Sequence, residues 1–190
     1  MDLENLTPED IIKPTIAEDI GQLDLRVGKI TDCASNSLDT KLYIETIDVG
    51  EENTRQASSE LTSRYSCDQL VGRKIVVLCN ANPEDKRGIE RNAMVLCAVD
   101  KKNVELINPP FDSLVGDPVV VDGFPWRPEP PPRKAEIMAL YEKTPFEKVN
   151  ADMKIDSLGV AVYKGKPLKV NGRQGQISAG TLSNCEVKFE

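Results

Sequence analysis

The sequence predicts a mainly β protein, a small closed barrel followed by a lesser β unit. Three observations carry that prediction. Ile75–Cys79 and Met94–Val99 are continuous apolar runs of six residues or fewer, as suits strands buried on both faces. Other short segments alternate apolar with polar residues, the mark of half-buried strands. Turn residues then punctuate these segments at regular spacing, which points to a barrel or sandwich.

The elements follow in chain order. Residues 1–22 hold six acids and one base, a net of −5 out of −7 for the whole chain, which leaves residues 23–190 close to neutral. This stretch reads as an acidic tail or linker, with a helix start at Thr7-Pro8-Glu9-Asp10. From Leu23 the reading is β. Leu23, Leu25 and Val27 alternate with Asp24, Arg26 and Gly28. Leu42–Val49 is a second strand stopped by Gly50, and the two buried runs follow. Val104–Ile107 and Val119–Val121 are shorter candidates, set off by Asn108-Pro109-Pro110 and Gly116-Asp117-Pro118. Arg127–Arg133 (RPEPPPR) reads as a stiff proline-rich spacer. A helix is expected over Lys134–Lys143. β signals return at Val160–Tyr163, Pro167–Val170 and Val187–Phe189, with hairpin turns expected at Lys164-Gly165-Lys166 and Asn171-Gly172.

Composition closes off several functions. The 190 residues contain no histidine, so Ser-His-Asp and Cys-His catalysis and histidine zinc sites are excluded. A catalyst would have to work with Asp, Glu, Lys, Tyr or a lone Cys, and no pattern here names a reaction. No metal or cofactor is expected. Cys33, Cys67, Cys79, Cys97 and Cys185 are odd in number, with no C-x-x-C. That is neither a disulfide framework nor a zinc ribbon, and they read as reduced intracellular thiols. No run of about 18 apolar residues is present, so no membrane span is expected, and the acidic N-terminus does not resemble a secretory signal.

Two motifs mimic phosphate or RNA loops without their context. Gly159 to Gly165-Lys166 has the wrong spacing, and Pro167 stands where a hydroxyl is needed. Gly172-Arg173-Gln174-Gly175 lacks flanking helices and reads as a turn. Two basic clusters carry more weight. Lys86-Arg87-Gly88, with Arg91 close by, falls between the two buried strands, hence on a loop at a barrel edge. Glu84, Asp85 and Glu90 offset part of its charge. Lys164, Lys166, Lys169 and Arg173 lie in a stretch free of acids from 157 to 185 and form a candidate phosphate-facing strip. With nine aromatics in the chain, nucleic-acid binding would rest on phosphates and shape rather than stacking.

Several stretches together resemble a known family. They are LDLRVGKI (Leu23–Ile30), LYIETIDVGE (Leu42–Glu51), GRKIVVLCNANPEDKRGIERNAMVLCA (Gly72–Ala98), NPPFDSLVGD (Asn108–Asp117), YKGKPL (Tyr163–Leu168) and TLSN (Thr181–Asn184). In this order they resemble the endothelial-monocyte-activating-polypeptide-II-like tRNA-binding domain, appended to some aminoacyl-tRNA synthetases or carried by auxiliary synthetase-complex proteins. The resemblance runs from about Leu23 to Lys188. It implies an all-β architecture: an OB-fold five-stranded barrel over 23–125, then a small β-rich C-terminal domain over 126–190 with one or two short helices. In such proteins the second unit imitates the subunit contact of small dimeric tRNA-binding proteins, so a monomer with an internal pseudo-dimer interface is expected.

The function so implied is a non-catalytic tRNA-binding module, cytoplasmic, with no membrane partner, that supplies tRNA to a synthetase catalytic domain. The alternative is a protein-interaction or cytokine-like signalling module on the same scaffold. Arg26–Ile30 resembles the peptide linked to signalling, yet it reads first as strand one. The family motif K-x-R-G-x-x-S-x-x-M falls on Asp85–Met94 and keeps Arg87, Gly88 and Met94. Asp85 and Arg91 replace its lysine and serine, with Lys86 next door. Asn36-Ser37-Leu38-Asp39 stands where relatives carry His-Pro-x-Ala. The RNA-binding residues expected are Arg87, Lys86 and Arg91, with Asn80, Ser59, Lys41 and Met94 beside them. Lys164, Lys166 and Lys169 would extend the track.

Overall fold

The computed structural model describes residues 18–130 and 145–190. The first half contains strands β1 (Leu25–Ser35), β2 (Tyr43–Asp48), β3 (Arg55–Ser59), β4 (Lys74–Leu78), β5 (Glu84–Lys86), β6 (Ile89–Arg91), β7 (Met94–Asp100), β8 (Asn103–Leu106) and β9 (Val119–Val120). One helical turn, α1 (Cys67–Leu70), sits between β3 and β4. The second half contains α2 (Pro145–Asn150), β10 (Met153–Ile155), β11 (Ala161–Tyr163), β12 (Lys166–Pro167), β13 (Lys169–Val170) and β14 (Cys185–Phe189). The helix expected over Lys134–Lys143 lies outside the described residues.

β1 organises the barrel. Its first half pairs with β4 and its second half with β2, and the register slips between Ile30 and Asp32. Such a bulge bends the strand and lets it serve two neighbours. Gly28 sits at the crossing, where a Cβ would lie 2.8 Å from Val77 and 2.9 Å from Ile47. Only glycine allows that approach.

The two apolar runs are buried on both faces for a visible reason. In β4, Ile75 and Val77 belong to one core, while Val76 and Leu78 belong to another. In β7, Val95 and Cys97 face the first core, and Met94, Leu96 and Ala98 the second. The first core is the barrel interior, with Ile30, Ile47, Ala57 and Leu61. The second joins the barrel's outer face to Met153, Ile155, Tyr163, Val187 and Phe189 from the C-terminal half.

The structure is all-β and OB-like, as expected, but its ladders do not run around to close the barrel. Ten of the fourteen described strands form one sheet, β12-β11-β10-β14-β7-β4-β1-β2-β3 with β8 paired to β7, while β9 with β13 and β5 with β6 form two separate ribbons. No ladder joins β3 to β7. The Asn92 and Ala93 amides instead both donate to the Gln56 carbonyl. The C-terminal strands continue this sheet through the β14–β7 ladder, from Glu186 opposite Val99 to Phe189 opposite Leu96. At the other end, Ile20–Gln22 forms a buried 3-10 turn, which the acidic reading of that stretch did not anticipate.

Further differences have local causes. β3 (RQASS) and the β5–β6 hairpin are polar and carry no apolar alternation, so pattern alone did not find them. Lys164-Gly165 is a hairpin turn between β11 and β12, as expected. Asn171-Gly172 is a turn but not a hairpin, because β13 pairs with β9 instead. Cys33 and Cys67 form a disulfide, against the expectation of free thiols throughout. Cys79, Cys97 and Cys185 remain free.

Candidate nucleic-acid interface

Two loops meet at one edge of the barrel. The first, residues 36–42, joins β1 to β2. The second, residues 79–93, joins β4 to β7 and carries the β5–β6 hairpin. Arg55 holds the second loop at both ends, its guanidinium donating to the Cys79 carbonyl at 2.7 Å and the Asn92 carbonyl at 2.9 Å. The hairpin then lies along β3, where Lys86 Nζ donates to the Ser58 carbonyl at 3.2 Å.

The hairpin tip docks on the first loop through Asn36. This residue is buried, and its Nδ2 donates to the Arg87 carbonyl at 3.2 Å. Its Oδ1 accepts from the Leu38 amide at 2.8 Å and the Asp39 amide at 3.3 Å. Asn36 is therefore a clamp that shapes one loop while holding the other. The tip is a two-residue turn with both residues at positive φ, Arg87 at 54° and Gly88 at 82°, the type I′ geometry of tight hairpins.

The expected site residues divide into three groups. Arg87, Lys86, Arg91 and Lys41 come together on the two loops. Arg87 is the open one: its side chain is 68% exposed, with a loose ion pair to Asp39 at 3.8 Å. Lys41 is exposed as well. Arg91 turns across the hairpin onto Glu84. Lys164, Lys166 and Lys169 form a separate cluster on the C-terminal half. There Lys169 pairs with Asp122 at 2.7 Å. Lys164 lies over the Tyr163 ring, and Lys166 over the Phe124 ring.

Ser59 and Met94 point inward, and the half-buried Asn80 is taken up by backbone groups. The Asn80 side chain accepts from the Asp24 amide and donates to the Gln22 and Glu129 carbonyls. Met94 is in the core between the two halves. Ser59 is fully buried and its hydroxyl donates to Glu45. These three support the loops rather than line the surface.

Beneath the hairpin lies a buried polar group that sequence reasoning missed. Glu45 is fully buried inside the barrel. Burial pushes its carboxyl up to about 7, against the opposing hydrogen bond from Ser59; Glu190 nearby raises it further, and Lys86 lowers it. Asn36, Arg55 and Glu45 carry no motif a lone sequence displays. Only the alternation of Glu45 with Ile47 and Val49 marked it as inward-facing.

A curled β sheet whose loop edge presents exposed cations, held by buried polar clamps, defines the class of OB-like nucleic-acid-binding modules. Residues 25–118 match the family described as "Putative tRNA binding domain", and this part of the chain belongs to it. It is 38% identical over 170 residues to the cytoplasmic methionine–tRNA ligase of Caenorhabditis elegans, covering 90% of this chain and 18% of the relative. It is 35% identical over 186 residues to the aminoacyl tRNA synthase complex-interacting multifunctional protein 1 of Cricetulus griseus, covering 98% and 49%. The chain thus spans at most about half of these two relatives. Among solved structures, the C-terminal domain of Plasmodium vivax p43 superposes with a TM-score of 0.80 at 25% identity, covering 90% of this chain and all of that one. Among the described residues, no helix is long and apolar enough to cross a membrane.

Proposed function

We propose that this chain is a non-catalytic tRNA-binding module that reads shape and backbone phosphates and raises the local tRNA supply of an aminoacyl-tRNA synthetase, to which it is joined covalently or in a complex. The observation that carries the reading is the cationic tip of Arg87, clamped by Asn36 on the loop edge of a matched tRNA-binding domain. A weak general site tethered to a synthetase acts by raising effective concentration, with no new chemistry. The relatives' cytoplasmic enzymes support a cytoplasmic setting. The β14–β7 ladder and the core shared by both halves support a monomer, with the C-terminal strands occupying the face a second subunit would cover. The signalling reading gains nothing from Arg26–Ile30, since Val27, Gly28 and Ile30 are buried within β1.

Titration with mixed tRNAs at two salt concentrations tests the proposal. Binding should be in the micromolar range and weaken steeply with salt. Arg87→Ala should weaken all tRNAs alike and lower the salt slope by about one phosphate contact. A protein that retards no tRNA at low salt is not such a module.

A further inference from the structure

We propose that the RNA backbone continues from the two loops across the β7–β8 turn into a second phosphate subsite, a cavity of about 190 Å³ walled by Lys101, Lys102 and Lys188. This rests on the tRNA-binding reading and redirects the expected track away from Lys164, Lys166 and Lys169.

The cavity carries the right donors. Three lysines line it, together with Ser63 and Asn103, and of the three Lys188 is already paired with a carboxylate. Glu60 and Glu190 also line it; the Glu190 carboxylate is held by Lys188 at 2.9 Å and by the Glu60 amide at 3.2 Å, so Lys101 and Lys102 are the cations that outweigh the exposed Glu60. Lys101 and Lys102 are exposed, and neither forms an ion pair among the described residues. Both are therefore open to an incoming phosphate, a point-charge role lysine suits.

The cavity wall is also linked to the loops through β3 and the residues just beyond it. Lys86 rests on the Ser58 carbonyl in β3. Just beyond β3, the Thr62 hydroxyl donates to the Lys41 carbonyl at 3.1 Å. The next residue, Ser63, lines the cavity. The loop cations and the two turn lysines are therefore connected through β3 and the Thr62-Ser63 segment that follows it. The other candidate strip is already engaged: Asp122 takes Lys169, while Lys164 and Lys166 lie on aromatic rings.

Lys101 adds a useful control. It occupies the two-residue turn between Asp100 and Asn103 with φ of 55°, a region that favours glycine. Lys101→Gly thus removes charge while relieving the backbone. In the 190-residue chain, the Lys101→Gly/Lys102→Ser double variant should bind tRNA about three- to tenfold more weakly at low salt, with a salt slope smaller by about one to two. Its thermal midpoint should be unchanged or raised. Lys102→Glu, which leaves the turn conformation alone, should weaken binding at least as much. The Lys164→Ser/Lys166→Ser/Lys169→Ser triple variant should bind nearly as the parent does. Parent-like affinity and slope in the double variant, beside a weakened Arg87→Ala, would overturn the subsite and leave the tRNA-binding reading intact. A parent that binds no tRNA would overturn both.

Discussion

Glu45 shows what a single residue contributes here. Its carboxyl is enclosed with Ser59, and its Oε2, like the Ser58 hydroxyl, has no partner among the described residues. Burial lifts it from 4.5 to about 7, so the fold holds this proton more tightly than the unfolded chain does. The contribution to stability is full below the unfolded value and is lost as pH rises through about 7. Glu45→Gln mimics the neutral form. It should flatten the stability profile between pH 5 and 8, and raise stability at pH 8 by on the order of 2–3 kcal/mol. Chemical denaturation across that range measures both, and an unchanged profile would contradict the assignment. Arg87 is the opposite case, a residue kept against its backbone preference. Its φ of 54° suits asparagine better than arginine. Arg87→Asn should therefore stabilise the hairpin by up to about 1 kcal/mol while weakening tRNA binding. Calorimetry and titration should move in opposite directions.

At the scale of elements, the loop edge is built by ties between segments far apart in the chain. Arg55 in β3 joins both ends of the 79–93 loop, and Asn36 joins its tip to the 36–42 loop. The same side of the barrel carries the Cys33–Cys67 bond, which joins the second half of β1 to the first residue of α1 across a separation of 34 residues. A crosslink of that span constrains the unfolded chain by about 4 kcal/mol. For a chain of this size that is roughly 8–16 °C in thermal midpoint. Reductant should lower the midpoint by that order, and Cys33→Ser should abolish the reductant effect. Identical melting of parent and variant with and without reductant would show that the bond makes no contribution. These ties were the least legible part of the chain. A cysteine pair or an asparagine clamp has no period, so nothing local distinguishes Cys33 from Cys79 or Asn36 from any loop asparagine. β3 and the β5–β6 hairpin were invisible for a related reason: their polar residues are held by Lys86, Arg55 and Asn92 rather than by an apolar face.

At the scale of the molecule, the two halves share a core. Val76, Leu78, Leu96 and Ala98 on the barrel's outer face pack with Ile155, Tyr163, Val187 and Phe189. Each large apolar side chain buried there contributes about 1.5–3 kcal/mol, and a domain's whole margin is about 5–15 kcal/mol. A chain ended after Pro130 should accordingly lose cooperative unfolding or self-associate through the exposed face, as sedimentation and denaturant titration would reveal. A cooperatively folded monomer would show that the barrel stands alone. The sequence by itself determined the β class, the two strands buried on both faces and the family, because periodicity and local motifs are properties of neighbouring residues. It also located Arg87 on an exposed loop, since a charged stretch between two buried strands has nowhere else to go. Only the tertiary structure decided that Ser59 and Met94 face inward, that Asn80 is taken up by backbone groups, that Arg91 is taken by Glu84, and that Lys101 and Lys102 share a cavity wall with Ser63. Those outcomes depend on which segments the sheet's register brings together, and Asn36 reaches Arg87 across a sequence separation of 51.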